Sequence, residues 1–383
     1  MNKVLLLDTN FSAKPIYDYL VSTGDEVYVA GNNPTDALAK SVPNYVKLDY
    51  SNVADVMKLI SKLSIDYLVP GGNDLSYKVC SEINEKIAFY NIDSVENCEI
   101  INDKGKFRKF SLDIGLHVPH LLKYETIEKS LPVIIKPVDA YSGHGMSVIN
   151  SYDKDNINKA VELAKKYSKT QQYLIEQFIN GQLYSHSAFI VDQQIVIDFI
   201  VEEHCNVNQY VVDTSRVCYD FHSDLLQKIR KDIMLIVEKL NLVDGLLHTQ
   251  FICDGDDFWL IEVTRRCPGD LYSKLIQYST NFPYAEYYAR PFIDKTKKAV
   301  DIKLDNSFII RHTITSDKPI TFNSIAFNCP LKIINMILLS LTGDFIKKSP
   351  FNRIGLLFMN FNRDSDLIYI LNKTTKRELY TIL

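Results

Sequence analysis

Apolar positions in the first hundred residues fall into short runs separated by segments with helical spacing. Val4 to Leu7 predicts a strand; Ala13 to Thr23 repeats its apolar residues at helical intervals and stops at Gly24; Glu26 to Ala30 predicts a second strand. Val53 to Leu63 predicts a helix and Tyr67 to Val69 a third strand. Strands that alternate with helices imply a parallel sheet covered on both faces, so residues 1–100 are expected to form a Rossmann-like unit of the α/β class. The first turn reads Asp8-Thr-Asn-Phe-Ser12 and lacks the glycines that bring a pyrophosphate to a helix start, which argues against dinucleotide binding there.

The pattern changes after residue 100. A helix over Lys104 to Ile114 leads through Gly115-Leu-His-Val-Pro119 into strands at Val133–Lys136, Ser147–Asn150 and Tyr173–Phe178, with a helix from about Asn156 to Ser168. Strands at Ser185–Val191 and Gln194–Val201 and a helix over Asp224–Leu240 follow. Leu246–Asp254 and Phe258–Val263 are joined by Gly255-Asp-Asp257, a hairpin signal. Residues 101–305 are therefore expected to form a central, β-rich domain. Residues 306–383 are expected to form a small α+β domain with a strand, a helix near Leu331–Leu341 and a strand at Gly355–Asn360. Nothing in this tail looks chemical.

Composition narrows the partners. A chain of 383 residues with 46% apolar and 23% charged content can bury enough core for two or three domains. Net charge is only −4, without a basic run, which points away from nucleic acid and from membrane surfaces. The seven cysteines are scattered without a CxxC pair, as expected of reduced thiols in the cytoplasm. No export signal is visible, and no apolar stretch reaches the roughly 18 residues of a membrane span.

Candidate chemistry concentrates in the middle third. Lys136 ends an apolar strand and is followed by the loop Ala140-Tyr-Ser-Gly-His-Gly-Met-Ser147. A strand-borne ammonium together with loop amides at Ser142, Gly143, His144 and Gly145 can grip a polyphosphate. Where the Tyr173–Phe178 strand breaks at Asn180-Gly181, the backbone at Gln177 and Ile179 can meet an adenine edge, although an ordinary hairpin would look the same. Glu262, on the strand from Trp259, is a hard-oxygen candidate for magnesium, and the neighbouring arginines would hold a substrate carboxylate or an acyl phosphate. Asn73 and Asp74 follow the third strand, where open sheets bind ligands, and are equally suited to capping a helix. Arg216, in a segment between strands, could anchor an anionic substrate or lie exposed. His248 and His144 could move protons.

The ordered series Asn102-Asp-Lys104, Lys136-Pro, the glycine loop, Glu176-Gln-Phe-Ile179 and Glu262-Val-Thr-Arg-Arg266 resembles the ATP-grasp superfamily of carboxylate–amine ligases, of the carbamoyl-phosphate synthase and biotin carboxylase type. The resemblance covers about residues 1–300 and implies that the central domain over 101–305 has two lobes, with a lid at about 116–180. It implies that Lys104 and Lys136 contact the ATP phosphates, that the loop closes over them, and that Glu176, Gln177, Phe178 and Ile179 form the adenine hinge. It further implies that Glu262 binds magnesium, or manganese in its place, and that Arg266 acts on the substrate. Three positions depart from the family pattern. Leu183 stands where an acidic ribose ligand is usual, Gln250 where a second acidic metal ligand is usual, and Thr264 where an asparagine is usual. Gln250 and Thr264 remain neutral oxygen donors, so weaker magnesium binding is expected unless a carboxylate such as Asp270 approaches. The implied reaction joins a small-molecule carboxylate to an amine through an acyl phosphate, and a homodimer is compatible with it. The rival readings are a nucleotide-binding protein without turnover and a bicarbonate-using carboxylase.

Overall fold

The computed structural model describes residues 1–140, 143–295, 302–349, 351–362 and 364–383. At the amino end β1 (Lys3–Leu7), β2 (Glu26–Gly31), β3 (Tyr45–Lys47) and β4 (Tyr67–Pro70) form a parallel sheet of order β3-β2-β1-β4. Val4 to Leu7 are all fully buried, as a continuous apolar run requires when both faces of its sheet are covered. The cover comes from α1 (Lys14–Ser22), α2 (Ala37–Ser41), α3 (Val53–Leu63) and α4 (Asp74–Asn84). The strand Tyr45–Lys47 was not expected, because three residues are too short to show a period.

Next come α5 (Val95–Asn102) and α6 (Lys104–Asp113), with Asp103 between them. The Asp103 carboxylate accepts from the Lys106 amide at 2.8 Å, capping α6 and setting Lys104 in its first turn. The lid consists of β5 (Val133–Pro137), β6 (Ser147–Ile149), α7 (Lys154–Tyr167) and β7 (Tyr173–Gln177), an antiparallel sheet of order β6-β5-β7. It packs on the helix through Ile157, Ala160, Val161 and Ala164.

Eight of the remaining strands build one large antiparallel sheet. It begins with β8 (Gln182–Val191), β9 (Gln194–His204) and β10 (Thr214–Val217), then, after α8 (Ser223–Leu240), β11 (Gly245–Asp254) and β12 (Asp257–Thr264). Helices α9 (Tyr272–Thr280) and α10 (Tyr284–Ala289) precede β13 (Phe308–Ile314), β14 (Ile320–Thr321), β15 (Ile325–Phe327), β16 (Ile333–Leu338), β17 (Phe345–Ile346), β18 (Gly355–Phe361), α11 (Asp364–Thr375) and β19 (Tyr380–Ile382). Its strand order is β12-β11-β8-β9-β10-β13-β18-β16, and β14 with β17 and β15 with β19 form two small two-stranded sheets. Residues beyond 306 thus supply three strands to the sheet that the central segment starts, while keeping a cluster of their own around Ile310, Leu357, Met359 and Leu367.

Two expectations are corrected here. Leu331–Leu341 is not a helix but contains β16, which pairs with the edge of β18; the β-branched residues Ile333, Ile334 and Ile337 suit that pleated edge. Thr214–Arg216 is not a connecting segment but part of β10, paired on both sides with β9 and β13.

Alternation divides the two faces of the large sheet. Ala188, Ile190, Ile200, Leu247, Phe251, Phe258 and Leu260 turn towards α8 and form one core. In β12 that phase would also send Glu262 into the α8 core. A bulge opposite Gln250/Phe251 inserts one residue, so Leu260 and Val263 both face α8 while Glu262 and Thr264 face the other way. The bulge thereby brings the polar residues of β12 onto the site face. No described helix is long and apolar enough to cross a membrane.

Candidate active site

The site lies where α6, the lid and the polar face of the large sheet meet. Lys104 is held at the root of the lid loop. Its amide donates to the Val138 carbonyl at 3.1 Å and its ammonium to the Ala140 carbonyl at 2.8 Å, and the same ammonium stands 3.9 Å from Glu262. Glu262 is half-exposed and opposite Gln250 in the β11–β12 register. The motif lysine and the strand glutamate, 158 positions apart by subtraction of their numbers, therefore share one space.

Lys136 projects from β5 and is buried. Its ammonium lies 2.6 Å from one oxygen of Glu176 on β7, and the other oxygen receives the Arg108 Nε–H at 2.7 Å. Arg108 also donates to the Leu260 carbonyl at 3.0 Å, so it ties α6, the lid hinge and β12 together. Burial pushes the Glu176 carboxyl up, but Lys136 and Arg108 outweigh it and hold it below the ordinary range. Burial lowers the Lys136 ammonium more than Glu176 raises it. Both Glu176 oxygens are engaged by cations, so this residue clamps Lys136 instead of offering its carboxylate to a nucleotide. In the same stretch the Gln177 amide donates to the His120 carbonyl at 3.0 Å and the Phe178 amide to Pro132 at 3.1 Å. Ile179, two residues beyond β7, is buried.

Of the lid loop, Ser142 lies outside the described residues. Gly143 and Gly145 take φ of +69° and +77°, which side chains rarely adopt. A Cβ on Gly143 would stand 2.4 Å from the Tyr210 Cβ, and one on Gly145 would stand 2.7 Å from the Tyr167 Cβ. Glycine lets this loop pack against the β9–β10 connection. His144 packs its ring edge-on against Tyr167 and Phe351, with centroids at 5.7 and 6.3 Å. A Gly143→Val variant is expected to lose roughly tenfold or more in substrate-dependent ADP release, since a left-handed backbone at a branched residue costs about 1–2 kcal/mol before the clash with Tyr210 is added. A steady-state rate equal to wild type would show that closure of this loop is not required.

Asp74, at the start of α4, meets the end of β12. Its carboxylate receives the Arg266 Nε–H at 2.9 Å and the Thr264 hydroxyl at 3.1 Å. Desolvation works against the charge of Asp74, yet Arg266 and Thr264 hold its carboxyl below the usual range, and Asp74 in turn raises Arg266. The Thr264 hydroxyl is thus spent on Asp74, which corrects its expected place among the metal ligands. Asn73 caps α4 by accepting from the Ser76 amide at 2.9 Å and touches the Tyr50 hydroxyl, a structural use of a residue expected near substrate. The neighbouring Arg265 turns the opposite way, into a buried pair with Asp93 at 2.7 Å and onto the Leu246 carbonyl. Only Arg266 of the two arginines faces the site.

Arg216 is a correction of a different kind. Along β10 it alternates with Ser215, and its guanidinium meets Glu202 at 2.5 Å on the α8 face of the sheet. It faces away from Glu262, so the expected substrate role falls. Ser215 occupies the site face instead.

Gln250 donates its side-chain Nε2–H to Glu203 at 2.8 Å. Glu203 also accepts from the Ser185 hydroxyl at 2.9 Å, and burial pushes its carboxyl up to about 7. His248 is buried against the Ser187 hydroxyl at 2.9 Å; burial, with Arg266 and His186, lowers it to about 3, so it is a neutral ring and no proton donor near neutrality. For magnesium the candidate donors are the Glu262 carboxylate, which Lys104 approaches at 3.9 Å, and the side-chain oxygen of Gln250 opposite it. That suits an ion that takes one or two protein oxygens and completes its shell with phosphate and water. Among the described residues no cluster of three or more acidic, His or Cys side chains offers a protein-only cage.

Sequence reasoning missed Arg108, Glu203 and Arg311. Arg108 is four residues beyond Lys104 on the same helix face, a spacing that would have found it. Glu203 and Arg311 are charged residues on apolar strands, the same signal that singled out Glu262.

A family model described as an ATP-grasp domain matches residues 129–274. The carbamoyl phosphate synthase large chain of Methanosphaerula palustris is 25% identical over 332 residues, 82% of this chain and 30% of that one. Among solved structures, the L-amino acid ligase from Bacillus licheniformis is similar at a TM-score of 0.82 and 15% identity, over 100% of this chain and 98% of that one. The biotin carboxylase domain of the 2-oxoglutarate carboxylase from Hydrogenobacter thermophilus, in complex with MgADP, is similar at 0.77 and 13% identity, over 100% and 90%. The chain spans 20% to 30% of the length of the first curated relatives it matches.

Proposed function

This chain belongs to the ATP-grasp superfamily, and from that premise we propose that it is an ATP-dependent ligase that activates a small-molecule carboxylate and joins it to an amine. The observation that carries the reading is the approach of Lys104 to Glu262 at 3.9 Å, with Asp74–Arg266 closing the same space from the first domain.

Phosphoryl transfer needs placed charge more than covalent help. Lys104 and Lys136 supply two ammonium groups on the lid side, and Glu176 with Arg108 holds the second in place. A carboxylate oxygen of the substrate attacks the γ-phosphorus, the bond to the β-γ bridging oxygen breaks, and ADP leaves. The amine then attacks the acyl carbon, phosphate departs with the C–O bonding pair, and the amine gives up a proton. Arg266, oriented by Asp74, is placed to stabilise charge on the acyl phosphate. Magnesium, held by Glu262 with Gln250 beside it, would neutralise phosphate charge; manganese has the same oxygen preference. The glycine loop excludes water from an intermediate that hydrolyses readily. We place the protein in the cytoplasm, in keeping with seven free cysteines.

The test is ADP release across a matrix of small carboxylates and amines, each omitted in turn. ADP formation that needs both substrates supports the reading. Nucleotide binding without substrate-dependent ADP from any pair overturns it, and ADP formation driven by bicarbonate with no amine present would replace it with a carboxylase.

A further inference from the structure

Residues beyond 306 also reach the lid. Phe351, on the turn that follows β17, meets the His144 ring edge-on at 6.3 Å. Next to it, Tyr210 on the connection between β9 and β10 lies so close to Gly143 that an added Cβ there would stand 2.4 Å from the Tyr210 Cβ. The Tyr210 hydroxyl hydrogen-bonds the Val148 backbone on β6, where the glycine loop ends. Gly143 and His144, neighbours in the lid loop, therefore rest on two aromatic side chains from outside the lid.

The tail holds both of these supports. The connection carrying Tyr210 folds around the buried Asp213, whose carboxylate accepts from the amides of Asn206 at 2.6 Å and Val207 at 2.8 Å. The Asp213 carbonyl accepts from the Thr313 amide of β13 at 2.7 Å, and the Asn206 side-chain oxygen accepts from the Thr375 hydroxyl of α11 at 2.9 Å. The turn carrying Phe351 is tied down in the same way. Its Asn352 side-chain oxygen accepts from the Lys347 amide at 2.9 Å, and the Ser349 amide donates to the Ser316 carbonyl at 2.7 Å. Ile346 and Ile354, buried in the tail core, anchor its two ends. A backbone held this firmly presents Phe351 outward, 60% exposed, towards the lid and away from the core beneath it.

From this geometry we infer that Phe351 is a positioning residue for the reaction: it seats the His144 ring and, with Tyr210, holds the glycine loop in its closed setting. The inference rests on the ligase reading, in which that loop covers the phosphates, and it gives the tail a task in that reaction. While the loop is seated, the acyl phosphate is kept for the amine. Without the seat, water takes the place of the amine, the carboxylate is returned with phosphate, and ATP is consumed without ligation.

The experiment is hydrogen–deuterium exchange of the full chain, read on a peptide covering residues 143–149, with and without magnesium and the non-hydrolysable β,γ-imido analogue of ATP. In the wild type the analogue should slow exchange of this peptide. Phe351→Ala should exchange roughly three- to tenfold faster with the analogue bound, the equivalent of one edge-on aromatic contact, and Phe351→Tyr should restore the wild-type rate. In a His144→Ala background the change at 351 should have no further effect, because Phe351 acts through that ring. Given a productive carboxylate and amine, Phe351→Ala should also raise the ADP formed per ligated product by a similar factor. Its Tm should stay near the wild type, as for an exposed side chain. A Tm well below wild type would make Phe351 part of the tail core and overturn the inference. So would wild-type protection in Phe351→Ala, or a wild type that binds the analogue without slowing of the peptide; both leave the ligase reading standing. A protected loop in a protein that releases no substrate-dependent ADP would overturn the ligase reading alone, and a wild type that does not bind the analogue would overturn both.

Discussion

Lys136→Met is expected to abolish measurable turnover, with a fall of roughly a thousandfold in kcat/KM for ATP, as for removal of a preorganised charge that meets developing negative charge. The variant has a second effect that must be separated from the first. Lys136 and Glu176 are a buried pair at 2.6 Å, and removing one member of such a pair costs about 3–5 kcal/mol because the other is left with less compensation. Arg108 still holds Glu176 at 2.7 Å, which places the expected cost at the lower end of that range. The double variant Lys136→Met/Glu176→Gln would leave the buried Arg108 without its counter-ion, so it should lose further Tm and regain no activity. Activity retained by folded Lys136→Met would mean that Lys136 serves the fold and not the phosphates.

The division between what could be read from the chain and what could not follows from how far each signal reaches. Lys104, Lys136 and Glu262 were legible because each is a charge at the end of an apolar run or at a helix start, and the local pattern marks such places. Their convergence was legible only from the order of the motifs. What escaped was decided by pairing between distant strands. Glu203 and Arg311 are 108 positions apart by subtraction of their numbers, and only the β9-β10-β13 order sets them in one row. Arg216 shows the same limit from the other side. It is adjacent to Ser215 in the chain, and alternation along β10 sends it to the opposite face, where Glu202 awaits it. The pair Arg265 and Arg266 divides in the same manner, one into Asp93 and the core, the other onto Asp74 and the site.

The helix expected near Leu331–Leu341 failed for an energetic reason. Apolar runs as short as Ile333–Ile334 and Met336–Leu339 carry no period that separates helix from strand, and the open edge of β18 offers backbone partners that a lone amphipathic helix would forgo. That edge also explains why residues beyond 306 matter to the site. By extending the sheet through β13 they deliver Arg311 to the face on which Glu262 stands. The bulge in β12 does the complementary task at the other end, restoring the phase that puts Glu262 and Thr264 on that face.

Glu262→Gln should separate metal binding from folding more cleanly than any other single change. The side chain is 42% exposed, and its nearest cation, Lys104, is 3.9 Å away, so loss of the charge should shift stability by no more than about 0.5 kcal/mol. Shape is kept and a carboxylate becomes an amide, leaving two neutral oxygens, at 250 and 262, where one charge stood. The magnesium concentration for half-maximal ADP release is expected to rise roughly ten- to a hundredfold, the range found when metal sites lose a supporting oxygen, with Tm unchanged in the absence of nucleotide. Because Gln250 is held by Glu203 and cannot gain charge, no neighbour on β11 can take over the lost ligand. A magnesium titration that superposes on the wild type would mean that the ion sits elsewhere, and the facing of Lys104 and Glu262 would then be an ordinary surface ion pair.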